Sequence, residues 1–292
     1  MTHPSPPRSN EARIPRVLPT DKEMTMTATT RRVSPSTSMK AGDDAEPLTL
    51  PQYSRRRILG TWAAAALPMA VLAWGGAPLL AATFEGPSAW PRAILLCLTV
   101  GMVWQFIFVM MAVRREQGSL RWSILKDALW LRAPRNPSTG RRGGRLWWVL
   151  VPLIFLVAAK EELPKIPAPV ERDQALFLQS AAGQEFFSGN WPWFAVIVTM
   201  MIFNTVLGEE LLFRGLLLPR MRGAFGRWDW LVNGVLFGVY HLHTPWSIPA
   251  NTLDTVFISL PASRYRSALI GIFVHSVQTV IFTALLLALV LG

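Results

Sequence analysis

Residues 191–222 read WPWFAVIVTMMIFNTVLGEELLFRGLLLPRMR. The stretch opens as an apolar run long enough for a membrane helix, and then places Glu209, Glu210 and Arg214 inside it. An ionised side chain at bilayer depth costs roughly 2.5–3.5 kcal/mol even on the lenient insertion scale. Such a cluster persists only where the charges are paired, hydrated or used. The run therefore points to a membrane protein, and its three charges point to where the chemistry lies.

The rest of the chain agrees on the class. Hydrophobic residues make up 51% of the 292, and the mean hydropathy is +0.30, high for a soluble globule. The expected fold is all-α, a polytopic transmembrane helical bundle with a disordered N-terminal tail. Apolar spans are expected near 58–84 (Pro68 as a kink), 91–113, a short one at 146–159, 191 to about 222, 228–243, and 267–291, with a short helix at about 252–260. Trp residues gather near the ends of these runs, where indoles favour the interface. Three regions follow: a disordered cytoplasmic tail at 1–54, N-terminal transmembrane helices with a basic loop at 55–189, and a helical core at 190–292. Met24, Met26 and Met39 are alternative starts within the tail.

The net charge of +11 does not form a face for nucleic acid, so no nucleic-acid partner is expected. The cations cluster in loops between spans: Ser54-Arg55-Arg56-Arg57, the 114–145 loop, Arg220/Arg222/Arg227 and Arg264/Arg266. By the positive-inside rule these are cytoplasmic, which makes a multi-pass cell-membrane protein with its N-terminus inside. The acidic 160–190 connection and the Pro245–Pro249 loop then face outward. The spans alternate to the end only if the 252–260 helix and its neighbours bring the chain back to the inner side. The stretch around 120–131 is amphipathic and suits the membrane surface. Cys97, the single cysteine, lies in an apolar run, so no intramolecular disulfide and no cysteine metal site can form.

Depth and face narrow the site. The turn at Gly223–Arg227 predicts an antiparallel hairpin of the fourth and fifth spans. Glu209 precedes its centre by about 15 residues and His241 follows it by about 16, so both lie roughly 20–25 Å along their helices. Glu210 and Arg214 are four apart and share a face, whereas Glu209 is turned about 100° from Glu210. One glutamate is thus paired and one is left available. His275 lies well inside the last span, with Thr279 on its face. Gly234 and Gly238 form a Gly-x-x-x-Gly ridge that reads as a packing surface, and Gly208 and Gly215 can serve the same end.

A buried glutamate beside imidazoles can act as general base on a water, and a second polar pair opposite can hold an oxyanion. Glutamate with two histidines is also an acceptable zinc set. Cofactor need stays open: none for a glutamate-activated water, a divalent metal such as zinc for the other. His-Glu-x-x-His, Gly-x-Ser-x-Gly and Walker patterns are absent. Glu161-Glu162 repeats the double glutamate but has Ile166 where the arginine belongs, and reads as a decoy. His243, near Trp246, reads as an interfacial histidine.

Glu209-Glu210-x-x-x-Arg214, Phe237-x-x-x-His241 and His275-x-x-x-Thr279 resemble, in order, the three motifs of the CPBP intramembrane proteases, which include CAAX prenyl endopeptidases and the bacteriocin-processing Abi proteins. The resemblance covers about residues 190–290. It implies an intramembrane endopeptidase acting on a prenylated, peptide or membrane-bound protein substrate at the lipid bilayer. It further implies that Glu209 activates water with help from His241, that Glu210 pairs with Arg214, and that His275 and the residue four later bind the oxyanion. The family usually has Asn or Asp at that last place, and here Thr279 stands with Gln278 beside it. Two other classes keep the same residues: a non-catalytic immunity or binding membrane protein, and a proton-coupled carrier using the intramembrane glutamate.

Overall fold

The computed structural model describes residues 49–292. The predicted tail lies outside these up to residue 48. Its last part is packed rather than loose: Tyr53 is buried, its N–H donates to the Arg220 carbonyl at 2.8 Å, and Gln52 bonds Pro219 O and Gly223 N.

The fold is a helical transmembrane bundle, and the described residues contain no strands. Helix α1 is the stretch Arg55–Ala81, with a π-helical turn at Leu72–Gly76. Ser54 caps its start, accepting from Arg57 N. Helix α2 (Ala89–Gln117) ends at Gly118, whose φ of 69° supplies the left-handed cap. After α3 (Trp122–Ala128) comes a 3₁₀ turn, Gly144–Val149, and α4 (Leu150–Glu161). Two short helices follow, α5 (Gln174–Gln179) and α6 (Ala181–Phe187), started by the side-chain caps of Asp173 and Ser180. Helix α7 (Trp191–Ile202) continues through a π-helical segment, Phe203–Leu217, into α8 (Leu218–Phe225). Then come α9 (Asp229–Tyr240), α10 (Ile248–Asp254), a π-helical turn Thr255–Ser259, α11 (Leu260–Tyr265) and α12 (Ala268–Leu291).

Among the described residues, four stretches are long and apolar enough to cross a membrane: Arg55–Ala81, Ala89–Gln117, Trp191–Tyr240 and Ala268–Leu291. The third folds back on itself at Gly226, where φ is +55°. Phe213 stacks edge-on to Phe237, and Asn233 donates to the Phe213 carbonyl at 2.8 Å. The predicted antiparallel hairpin is therefore present. The short span expected at 146–159 is the 3₁₀ turn Gly144–Val149 with α4, and it is not one of the four stretches long enough by themselves to cross. It packs Leu153 and Val157 beside Ile270 and Val274 instead.

The return of the chain after α9 also becomes clear. The helical run from Ile248 to Tyr265 lies antiparallel along α9. A Cβ on Gly238 would meet Thr252 Oγ1 at 2.1 Å, and one on Gly234 would meet Thr255 Oγ1 at 2.2 Å. At the far end, Ser263 donates to Asp229 at 2.8 Å. The Gly-x-x-x-Gly ridge is thus where this run crosses α9, and the run carries the chain back to the arginine-rich end before α12 begins. Gly215 similarly faces the Leu129 backbone.

Candidate active site

The π-helical segment Phe203–Leu217 carries both glutamates, and Gly208 to Leu217 are buried throughout. A π-type segment this long is unusual, and π-bulges collect at functional sites. Its widened turns point Glu209 and Glu210 to different neighbours.

Glu210 is fully buried. Its Oε1 accepts from Arg214 Nη1 at 3.0 Å and lies 3.3 Å from His275 Nδ1. Because a carboxylate only accepts, the His275 Nδ1 carries the proton in that contact. Arg214 also donates to Ser259 Oγ at 3.2 Å and lies over the Phe237 ring, 4.1 Å from its centroid. Ser259 passes its own proton to Asn233 Oδ1 at 3.1 Å. A chain of buried bonds thus runs from Glu210 through Arg214, Ser259 and Asn233 to the Phe213 carbonyl. Removing one partner of such a buried pair leaves an uncompensated charge, which costs about 3–5 kcal/mol.

Glu209, 2% exposed, makes a different contact. Its Oε1 lies 3.8 Å from His241 Nε2, the breadth of a polar approach rather than a direct bond. His241 Nδ1 sits 3.0 Å from the Phe237 carbonyl. A carbonyl accepts only, so Nδ1 holds the proton in that contact and Nε2 is the nitrogen that faces Glu209. The two groups that the hairpin arithmetic put at one depth do face each other. Phe237 separates the two imidazoles, its ring 5.0 Å from His241 and 6.3 Å from His275.

Thr279 Oγ1 lies 2.5 Å from Thr205 Oγ1, a buried hydroxyl one turn before Glu209. Gln278 turns away and donates to Glu161 at 2.6 Å. Glu161 therefore closes on α12, although it makes no second catalytic pair. All six residues singled out in the sequence (Glu209, Glu210, Arg214, His241, His275 and Thr279) thus lie on the segments that converge here. His243 is buried, its ring 5.4 Å from that of His241.

Several residues here gave no sequence motif. Ser259 and Asn233 sit singly in apolar runs. Gly271 is another: an added Cβ would meet Glu210 Oε2 at 2.1 Å. That oxygen has no hydrogen-bond partner, so a hydrogen in place of a side chain is what admits the carboxylate. Lys160 and Asp254 form a buried pair at 2.8 Å. Isolated polar residues in apolar helices, weighed as intramembrane partners, were the available signal.

Among the described residues no three of His, Cys, Asp or Glu are grouped to hold a metal ion. His275 turns Nδ1 to Glu210 and His241 turns Nδ1 to a carbonyl, which leaves Nε2 as the available nitrogen of each ring.

Residues 190–281 match the family described as type II CAAX prenyl endopeptidase Rce1-like. The match covers less than a third of the 292 residues, and it takes in all six residues singled out in the sequence. It is the CAAX protease family that the ordered motifs resemble. No curated protein and no solved structure matches the chain. The CAAX-endopeptidase-like segment begins just before α7 and runs into α12, while α1 and α2 lie outside it.

Proposed function

We infer that this protein is an intramembrane endopeptidase that hydrolyses a peptide bond of a membrane-associated substrate through a water activated by Glu209. The observation that carries the reading is the facing pair: the buried Glu209 carboxyl group and His241 Nε2, 3.8 Å apart. A water held between them loses its proton to Glu209 as its oxygen attacks the scissile carbonyl. The tetrahedral oxyanion accepts hydrogen bonds from His275 and from Thr279. When Thr205 donates within its pair with Thr279, the Thr279 proton is free for the oxyanion. His275 donates from Nε2 when protonated, its charge balanced by Glu210. The proton taken by Glu209 then passes to the leaving amine, and the carbon–nitrogen bond breaks. Glu210 and Arg214 are positioning residues, which hold His275 and the Glu209 backbone in place.

A prenylated C-terminal peptide is the substrate that the matched family's description names, and a site at membrane depth suits a lipid-bearing peptide. A non-catalytic binding protein is the second reading, supported by the Thr279 hydroxyl being engaged by Thr205.

The test uses the purified full chain in nanodiscs with a panel of prenylated and unprenylated fluorogenic peptides. Glu209→Gln should lower turnover roughly 10²–10⁴-fold, the range for loss of a general base, with an unchanged melting temperature. Wild-type cleavage by Glu209→Gln would falsify the enzyme reading. A carrier would instead show pH-dependent flux lost with the same substitution and no cleaved product.

A further inference from the structure

At the arginine-rich end of the bundle lies a cavity of about 490 Å³, well apart in sequence and in the hairpin from the glutamates. Arg135, Arg222, Arg227, Arg264 and Arg266 line it, with Trp230 and Ser263. These cations come from three separate stretches: the loop after α3, the turn between α8 and α9, and the turn between α11 and α12. Two backbone bonds tie the first of these stretches to the third. Arg135 N donates to Tyr265 O at 2.8 Å, and Ala268 N donates to Trp130 O at 2.9 Å. Arg266 adopts φ of +47° to make that turn, which only Gly, Asn or Asp does readily.

A positive-inside flank needs only positive charge in a loop. Here the charges converge on one concavity and are not spent on acids. Asp229 is the acid beside them, it is 2% exposed, and its oxygens are engaged. One accepts from Ser263 and the Trp230 N–H, and the other takes a long 3.4 Å contact from Arg222, whose side chain remains 64% exposed. The bowl therefore gathers five guanidinium groups around a single acid. At roughly 30 Å³ per water it has room for roughly sixteen waters, ample for a phosphodiester headgroup. Guanidinium forks match phosphate oxygens. The bowl sits at the helix ends, with Trp228 half-exposed beside it, the level at which headgroups lie.

We propose that this arginine bowl is a binding site for the phosphate headgroup of an anionic phospholipid. It is separate from the glutamate site and stands whether or not the protein is a protease. Occupancy would clamp the 130–135 loop, the α8–α9 turn and the α11–α12 turn together, and so brace the hairpin that carries both glutamates.

The test is native mass spectrometry and thermal melting of the detergent-purified full chain. Phosphatidylglycerol and phosphatidylcholine of matched acyl chains are added separately, with inorganic phosphate as a third arm. Phosphatidylglycerol should remain bound and raise the melting temperature by a few degrees, while phosphatidylcholine should do neither. The exposed triple variant R227Q/R264Q/R266Q should fold, and should lose one bound phosphatidylglycerol and the shift. Equal stabilisation by phosphatidylcholine would overturn the proposal, as would an undiminished shift in the variant. The wild-type lipid comparison decides alone if the variant fails to fold. A shift as large with inorganic phosphate as with phosphatidylglycerol would assign the bowl to free phosphate and overturn the lipid site.

Discussion

Two glutamate–arginine pairs are buried in this bundle, and they are built to opposite plans. At the arginine-rich end, Glu116 is saturated. Its Oε1 accepts from Tyr53 and from Arg57 at 2.7 Å, and its Oε2 accepts from Arg220 Nε at 2.8 Å. Arg220, fully buried, gives its remaining reach to the Ala128 and Leu216 carbonyls. At the other level, Glu210 fills one oxygen with Arg214 and His275 and leaves Oε2 against Gly271 without a partner. Glu209 beside it has His241 only at 3.8 Å. A buried polar group left short of partners costs free energy, so natural structures keep few of them. The saturated cluster fastens the chain entering α1 to α2 and α8. The unsaturated one keeps acceptor capacity in reserve, which a reacting water and substrate can use.

The sharpest way to break this division is to remove each glutamate. Glu116→Ala and Glu210→Ala should each destabilise by about 3–5 kcal/mol, because each strands a buried guanidinium. The comparison predicts that they part in catalysis. The folded fraction of Glu116→Ala should retain kcat, and that of Glu210→Ala should lose it with His275 unmoored. Unfolding midpoints paired with single-turnover cleavage measure both quantities. A folded Glu116→Ala protein without activity would end the distinction between a fastening cluster and a working one.

Glycine offers a second contrast with a smaller effect. Gly271→Ala would press a methyl group on Glu210 Oε2 at 2.1 Å and on Ile258 Cγ2 at 3.0 Å. Gly234→Ala would press one on Thr255 Cβ at 2.4 Å, at a helix crossing away from the carboxylates. Overpacking of this kind costs about 1–3 kcal/mol, so both variants should melt earlier. Only Gly271→Ala should also lower kcat, since it alone moves the glutamate that holds His275. Equal activity in the two at matched folded fraction would mean that the Glu210 position is not critical.

The contrast also explains what the sequence made legible. Glu209, Glu210, Arg214 and His241 could be placed because helix rise and the hairpin turn are local arithmetic, and the structure has both. The partners that complete the site come from segments far along the chain: Ser259 and Gly271 reach Arg214 and Glu210 across 45 and 61 residues. Their identity is ordinary, a serine and a glycine in apolar runs, and only the folding of 248–265 along α9 and the packing of α12 on the π-helical segment give them a role. Arg220 was open to the same misreading. In sequence it is one more cation in a basic turn, yet it is sealed within the protein because Glu116 of α2 and Tyr53 of the segment before α1 come to it. The π-helical widening at Phe203–Leu217 left no pattern either, since its residues would serve an α-helix as well.

Tyr53 gives the finest test, because it titrates outside the membrane spans. Burial, and then its hydrogen bond to Glu116, push the phenol up to about 12. The unfolded value is about 10, so the folded protein holds the proton more tightly than the unfolded chain. That contribution is complete below pH 10 and is lost as pH rises from 10 towards 12. Tyr53→Phe removes both the bond and the titration. At pH 8 the variant should be less stable by about 1 kcal/mol, the scale of one net hydrogen bond. At pH 11 the wild-type advantage should shrink, and activity per folded molecule should match the wild type throughout. Melting curves at the two pH values read the first effect, and cleavage normalised to folded protein reads the second. A Tyr53→Phe protein that tracked the wild type from pH 8 to pH 11 would mean that the phenol carries none of the fastening, leaving Glu116 to be held by the two arginines alone.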